Sequence, residues 1–273
     1  MLYYLVVPTK QGTLDAFSFN RVHKDSLFML QEFPCSPAPP LRGVIKGAEF
    51  NMQFAISVFS YCFLYCGKEY SPYKLSLEKF RQYTGCTYGN HGLDIEGEFR
   101  RLSEIYGITN GEIVPLIENI MVLDEIICFD SVYFYDLISY MREADENGNR
   151  HSFYTSLLSV SALKWRNRAA FEVASVICSL AERRGSFHGG KAELCIDTLM
   201  KQCPLFAHRY NKAVGSKKNE VLKTVICKAL EYLNSDCVFE AKYKNIKIEL
   251  PNEMNRFRLR DKIIVKVGKK NCE

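Results

Sequence analysis

Three features of this 273-residue sequence predict a mostly helical α+β fold of two tandem winged-helix domains, helix-turn-helix units each closed by a β-hairpin wing. The first is Ser216 to Lys270, an amphipathic helix followed by a strand, a basic loop and another strand. The second is Ala48 to Gly107, where helix, short helix, turn and helix succeed one another. The third is charge. Residues 1–150 carry 13 Lys+Arg against 19 Asp+Glu, a net of −6, whereas 151–273 carry 23 against 12, a net of +11. Such an asymmetry separates an anion-facing half from a partner-facing half.

Length and composition bound the rest. A chain of this size suits two domains, and 47% hydrophobic with 25% charged residues excludes disordered and fibrous classes. The 11 cysteines form no CxxC pair and no Cys/His cluster of zinc spacing, so no metal site is expected. With Met1–Val7 followed at once by polar residues, no secretory signal is read, and free buried thiols in a reducing cytoplasm are expected. The most apolar run, Met52–Cys66, is about 15 residues and interrupted by Gln53, Ser57 and Ser60. A spanning helix needs about 20, so it reads as a buried core helix and no membrane is expected.

Residues 1–47 read as an arm or linker: LYYLVV is a candidate strand, SLFMLQEF a second strand or short helix, and the four prolines of FPCSPAPPLRG impose an extended connection. An acidic first domain is placed at 48–162. Its first helix, Ala48–Cys66, is apolar on most sides and stopped by Gly67. Leu77, Phe80 and Thr84 space a short helix with Ser76 as N-cap and Gly85 beyond its end. Ile95, Phe99, Leu102 and Ile105 mark a third helix ended by Gly107. From Ile113 to Phe134 no clean period emerges. Asp136–Glu143 and His151–Ser159, joined through Asn147-Gly148, are expected to form the wing.

The basic second domain is placed at 163–273, with Leu163–Asn167 as the junction. Phe171, Ala174, Ile177, Cys178 and Ala181 line one side of a helix from Arg168 to Arg184, and Gly185 follows. A second helix is expected over Ala192–Gln202, stopped by Pro204, then a basic link LFAHRYNKAVG. The last helix runs from Ser216 with Val221, Leu222, Val225, Ile226, Ala229, Leu230 and Leu233 at helical spacing. Strands Val238–Tyr243, Ile246–Leu250 and Lys262–Val267 complete the plan.

Candidate binding residues follow from charge and placement. A helix entering the major groove presents small polar and basic side chains near its N-terminal end while its other face packs, as Lys217, Lys218, Asn219 and Lys223 would. Strand periodicity over 255–262 would put Arg256, Arg258 and Arg260 on one face, to follow a phosphate backbone or enter a minor groove, with Phe257 and Leu259 toward the core. Lys201, His208, Arg209 and Lys212 would add phosphate contacts. An ordinary solvated helix face and a charged edge strand are the plainer explanations of the same residues. In the first domain Arg100 and Arg101 sit among Glu96, Glu98 and Glu104, a poor setting for reading DNA.

No catalytic site is expected: GxxxxGK[ST], GxSxG and HExxH are absent, and the five histidines are scattered. No cofactor is implied either.

The element order, the run RNRAAFEVASVICSLAERRG to KALEYL, and YKNIKIELP resemble the tandem winged-helix replication initiators of plasmids, phages and mobile elements. That resemblance implies a second domain binding repeated origin sites through Lys217–Lys223, and a first domain serving dimerisation or a weaker contact. The expectation is therefore a non-enzymatic, cytoplasmic protein binding double-stranded DNA, with a homodimer or host protein as partner of the acidic domain. The alternatives are a phage or mobile-element interaction protein, such as an anti-CRISPR inhibitor of a nucleoprotein enzyme, and a transcriptional repressor of the same fold.

Overall fold

The computed structural model describes residues 4–9, 42–44, 51–66, 72–85, 94–109, 112–142, 154–185, 191–236, 246–250 and 257–267. The chain is mixed α/β, mostly helical, with eight α-helices and small antiparallel sheets among the described residues. It divides into two units, Asp15–Phe153 and the pair of segments Met1–Leu14 with Tyr154–Glu273. The division differs from the expected boundary at residue 163 and from an arm over 1–47. Within these bounds the charges separate further: 12 Lys+Arg against 19 Asp+Glu in the acidic unit, 24 against 12 in the basic one.

In the acidic unit, α1 (Met52–Tyr65) is the central helix. The Asn51 side chain accepts from the Phe54 N–H at 3.2 Å and starts it. Ser57 and Ser60, both buried, donate their hydroxyls to the Phe54 and Ile56 carbonyls at 2.7 and 2.6 Å, which lets polar residues sit on an enclosed helix. Phe54 meets Phe99 and Phe80 edge to face at 5.3 and 6.2 Å, and Phe59 meets Phe134 at 5.5 Å.

Strand β3 (Tyr73–Ser76) leads into α2 (Leu77–Tyr83), where Ser76 Oγ accepts from Lys79 N–H as expected, and Gly85 takes φ +62° past the helix end. After α3 (Ile95–Ser103), β4 (Tyr106–Thr109) and β5 (Glu112–Pro115) pair as a hairpin, and β2 (Arg42–Val44) adds to β4. The stretch without a clean period holds a second hairpin, β6 (Glu118–Leu123) and β7 (Ile126–Asp130), in a sheet of order β3-β7-β6. The turn Asp124-Glu125 joins paired Leu123 and Ile126, with Asp124 at φ 51°. The register slips between Glu118 and Met121 around Asn119, also at positive φ, whose amide donates to Asp130 at 2.8 Å.

The wing expected over 136–159 is not formed. Asp136 belongs to α4 (Val132–Arg142), and Tyr154–Ser159 is strand β8 of the other unit. Asn147-Gly148 lies outside the described residues, as does SLFMLQEF.

In the basic unit β1 (Tyr4–Thr9), the LYYLVV strand, pairs antiparallel with β8, Tyr4 opposite Ser159 and Thr9 opposite Tyr154. A 3-10 turn (Val160–Lys164) then leads into α5 (Arg168–Gly185). Where one helix was expected over 192–202, β9 (Lys191–Cys195) pairs with β11 (Lys262–Val267) and only Ile196–Gln202 is helical, α6. Ala, Glu and Leu favour helix weakly, and cross-strand pairing overrides that preference. Pro204 does not end structure but opens α7 (Pro204–Lys212), since a proline at the first helical position gives up no hydrogen bond. After α8 (Lys217–Ser235), β10 (Ile246–Glu249) joins a sheet of order β10-β11-β9. Val238–Tyr243 lies outside the described residues.

The core of this unit lies between α5 and α8, with α7 and β11 packed on α5. Phe171, Ile177, Phe206, Leu222, Val225, Ile226, Ala229, Leu233 and Val265 are buried in it.

Candidate nucleic-acid interface

The loop between α7 and α8 sets the geometry of the candidate site. Gly215 sits there at φ +58°, a conformation L side chains resist, so the glycine lets α8 start immediately after α7 ends. The N-terminal end of α7 is tied down from below. Glu172 on α5, 1% exposed, accepts the Leu205 and Phe206 N–H groups at 3.0 and 3.4 Å, a cap that Cys203 does not supply. Burial pushes the Glu172 carboxyl up to about 8, outweighing the two backbone donors and Arg209, which act to lower it.

On α8 the buried stripe Leu222, Val225, Ile226, Ala229 and Leu233 turns Lys217 and Lys223 to solvent. Lys218 is half-buried, its ammonium 5.0 Å from the centre of the Tyr210 ring on α7. Asn219 is half-buried too, and its side-chain oxygen accepts the Phe257 N–H at 2.7 Å.

Residues 257–261 form a turn, not the continuous strand expected over 255–262. Asp261 closes it, accepting from Arg258 N–H at 2.7 Å while its own N–H donates to the Arg258 carbonyl at 3.0 Å. The Leu259 and Asp261 carbonyls accept from Asp197 and Ile196 N–H at 2.9 and 3.0 Å, so this turn caps α6. Phe257 is buried and Arg258 and Arg260 are exposed, as expected, although through a turn held at both ends and not through strand alternation. Arg256 lies outside the described residues.

The structure therefore brings Lys212, Lys217, Lys218, Asn219, Lys223, Arg258 and Arg260 onto neighbouring pieces of α7, α8 and the 257–261 turn. Lys201 is compromised. It pairs with Asp197 at 2.8 Å, and that hydrogen bond raises its ammonium's affinity for the proton. Arg209 is exposed and donates to the Asn167 side-chain oxygen at 2.7 Å, which places its guanidinium beside the start of α5.

Pairing separates the cations of this unit into two sets. Lys228, Lys262 and Lys266 bind Glu231, Glu193 and Glu249. Lys212, Lys217, Lys223, Arg258 and Arg260 have no carboxylate partner among the described residues. In the acidic unit the comparable helix α3 neutralises itself: Arg100 pairs with Glu96 at 3.9 Å and Arg101 with Glu98 at 2.6 Å.

The sequence reads Lys164 and Arg166 as part of a junction and Arg168 as the start of a helix, and assigns none of the three a contact, yet all are exposed beside Asn167. Their signal was the absence of any Asp or Glu from 154 to 171. Among the described residues no three His, Cys, Asp or Glu side chains gather to hold a metal ion, and no helix is long and apolar enough to cross a membrane. No family model matches this chain, and no curated protein matches it.

Proposed function

We propose that the basic unit is a winged-helix module that binds double-stranded DNA, with α8 toward the major groove and the 257–261 turn against the backbone. The order α5-β9-α6/α7-α8-β10-β11, with β11 between β10 and β9, supports the winged-helix plan. The acidic unit has a matching order, α1-β3-α2-α3 and then β6-β7, with β7 between β6 and β3. The carrying observation is that the cations at the N-terminal half of α8 and on the turn have no carboxylate partner among the described residues, whereas Lys201, Lys228, Lys262 and Lys266 are paired. A solvated face chosen only for solubility has no need of that division.

The protein on this reading is non-enzymatic and cytoplasmic, akin in role to a replication initiator, with a repressor sharing the same chemistry. Anisotropy titration of the full chain against a random-sequence duplex library at low salt tests it. Binding whose affinity falls steeply with salt is expected, and the absence of binding to every duplex ends the proposal. Selection of bound sequences, mapped to an origin or a promoter, then separates initiator from repressor.

One observation favours a protein contact for the other unit. Met121, Val122, Leu123 and Ile126 expose apolar side chains at the tip of the β6-β7 hairpin, in a unit of net negative charge. A second copy or a host protein is the partner this patch would take, and the interaction-protein alternative rests on it. Sedimentation of the nucleic-acid-free protein, with and without Leu123→Lys, tests for the second copy.

A further inference from the structure

A strip of chain that the candidate interface does not use runs from the 3-10 turn into α5. Its apolar members are pinned inside: Val160, Ala162, Leu163 and Trp165 are buried, and the Trp165 ring stacks on Tyr232 of α8 at 4.6 Å and 10°. The Asn167 N–H donates to the Tyr232 hydroxyl at 3.2 Å, and the Asn167 side-chain oxygen accepts from both Ala170 N–H at 3.3 Å and Arg209 at 2.7 Å. Between these anchors Lys164, Arg166 and Arg168 are exposed. They are thus held on a fixed backbone, which lowers the entropy lost when they meet a ligand.

The buried Asp236 carboxylate reaches the start of the strip, where it accepts the Ser159 N–H at 3.2 and 3.1 Å, but the stretch itself holds no acid. Residues 154–171 contain no Asp or Glu, and neither do residues 198–219, which supply Arg209 and Lys212. The Arg209–Asn167 hydrogen bond joins these two acid-free stretches. The next acid, Glu172, is buried under α7 with its proton affinity raised, so it adds little negative charge near neutral pH. Glu231, the exposed acid one residue before Tyr232, is occupied by Lys228 at 2.6 Å. Along α8, the 14 helical steps from Lys218, which touches Tyr210, to Tyr232, which touches Asn167, span about 20 Å.

We infer that Lys164, Arg166, Arg168 and Arg209 form a second phosphate-contacting site, which extends the α8 interface along the backbone of the same duplex. This rests on the duplex-binding reading of α8. A band of about 20 Å matches the axial rise of about six nucleotides of one strand. Guanidinium forks suit phosphate oxygens, and the site positions the duplex without reading its sequence.

The test is a salt series on the full chain, with anisotropy against a duplex that the wild type binds. Arg166→Gln/Arg168→Gln is expected to weaken every duplex by a similar factor and to flatten the slope of log K against log salt by about 1 to 2. Arg166→Lys/Arg168→Lys is expected to keep most of the slope, a rescue that a merely structural role would not give. If the glutamine variant fails to melt cooperatively, Lys164→Gln is read in its place, with a slope change of about 1. An unchanged slope in a wild type that does bind DNA overturns this site alone. Failure of the wild type to bind any duplex removes the underlying reading as well.

Discussion

The Asn219 side-chain oxygen on α8 accepts the backbone N–H of Phe257, 38 residues on, at 2.7 Å. That bond fastens the start of the candidate recognition helix to the turn carrying Arg258 and Arg260. An asparagine at this position could otherwise be read as a contact to adenine, but its acceptor already serves the fold. Asn219→Ala is expected to lower stability by about 1–2 kcal/mol, because it leaves a partly buried N–H unsatisfied. Urea melts check the stability. Duplex binding should weaken across all sequences alike, and a selective change at one base would instead assign Asn219 to readout.

Lys217→Ala and Lys223→Ala should leave stability within about 0.5 kcal/mol of wild type, as both side chains are exposed and have no carboxylate partner among the described residues. Each should flatten the salt dependence of duplex binding by about 0.9. Lys201→Ala should have a smaller effect, since Asp197 already answers its charge. Arg100→Ala, in the self-neutralised α3, should not change duplex binding at all. Anisotropy across a salt series reads all four.

Glu172 makes stability depend on pH in a direction opposite to most carboxylates. Its folded-state pKa of about 8 lies above the ordinary 4.5, so the folded chain holds the proton more tightly than the unfolded one. Its contribution is fully present below about pH 4.5 and is lost as pH rises toward 8. Glu172→Gln keeps an acceptor for Leu205 and Phe206 without the titration. Thermal melts should show the variant gaining on wild type between pH 5 and 8, by up to a few kcal/mol. A constant difference across that range would show that Glu172 does not titrate there.

Gly215→Ala should cost about 1–2 kcal/mol, not for lack of room, since nothing lies within 4 Å of an added Cβ, but for its φ of +58°. Gly215→Asn should cost less, because asparagine tolerates that region. Equal losses in both variants, measured by urea melts, would contradict a conformational cause.

The parts legible in the sequence were those written in local chemistry. The Ser76 cap and the stripe of α8, five of whose seven expected positions are buried, are both written in the local sequence. The parts missed depend on remote partners. Lys191–Cys195 is a strand only because Lys262–Lys266 lies beside it. The β6-β7 hairpin lost its period-two signature where the register slips between Glu118 and Met121. Asn110-Gly111, between paired Thr109 and Glu112, is a local turn signal for a hairpin that forms, whereas Asn147-Gly148, of the same turn chemistry, lies outside the described residues. The cationic residues at the candidate site were visible as a charge excess. Which of them are spent on carboxylates was not, because Lys262 meets Glu193 across 69 positions of sequence.

The pairing of β1 with β8 also fixes an order of events. During synthesis Tyr4–Thr9 leaves the ribosome before Tyr154–Ser159, and the whole acidic unit is made in between. At about 5–20 residues per second, the early strand stays unmatched for about 7 to 30 seconds, while residues 15–153 have time to fold. Its edge is a template for wrong partners throughout that wait.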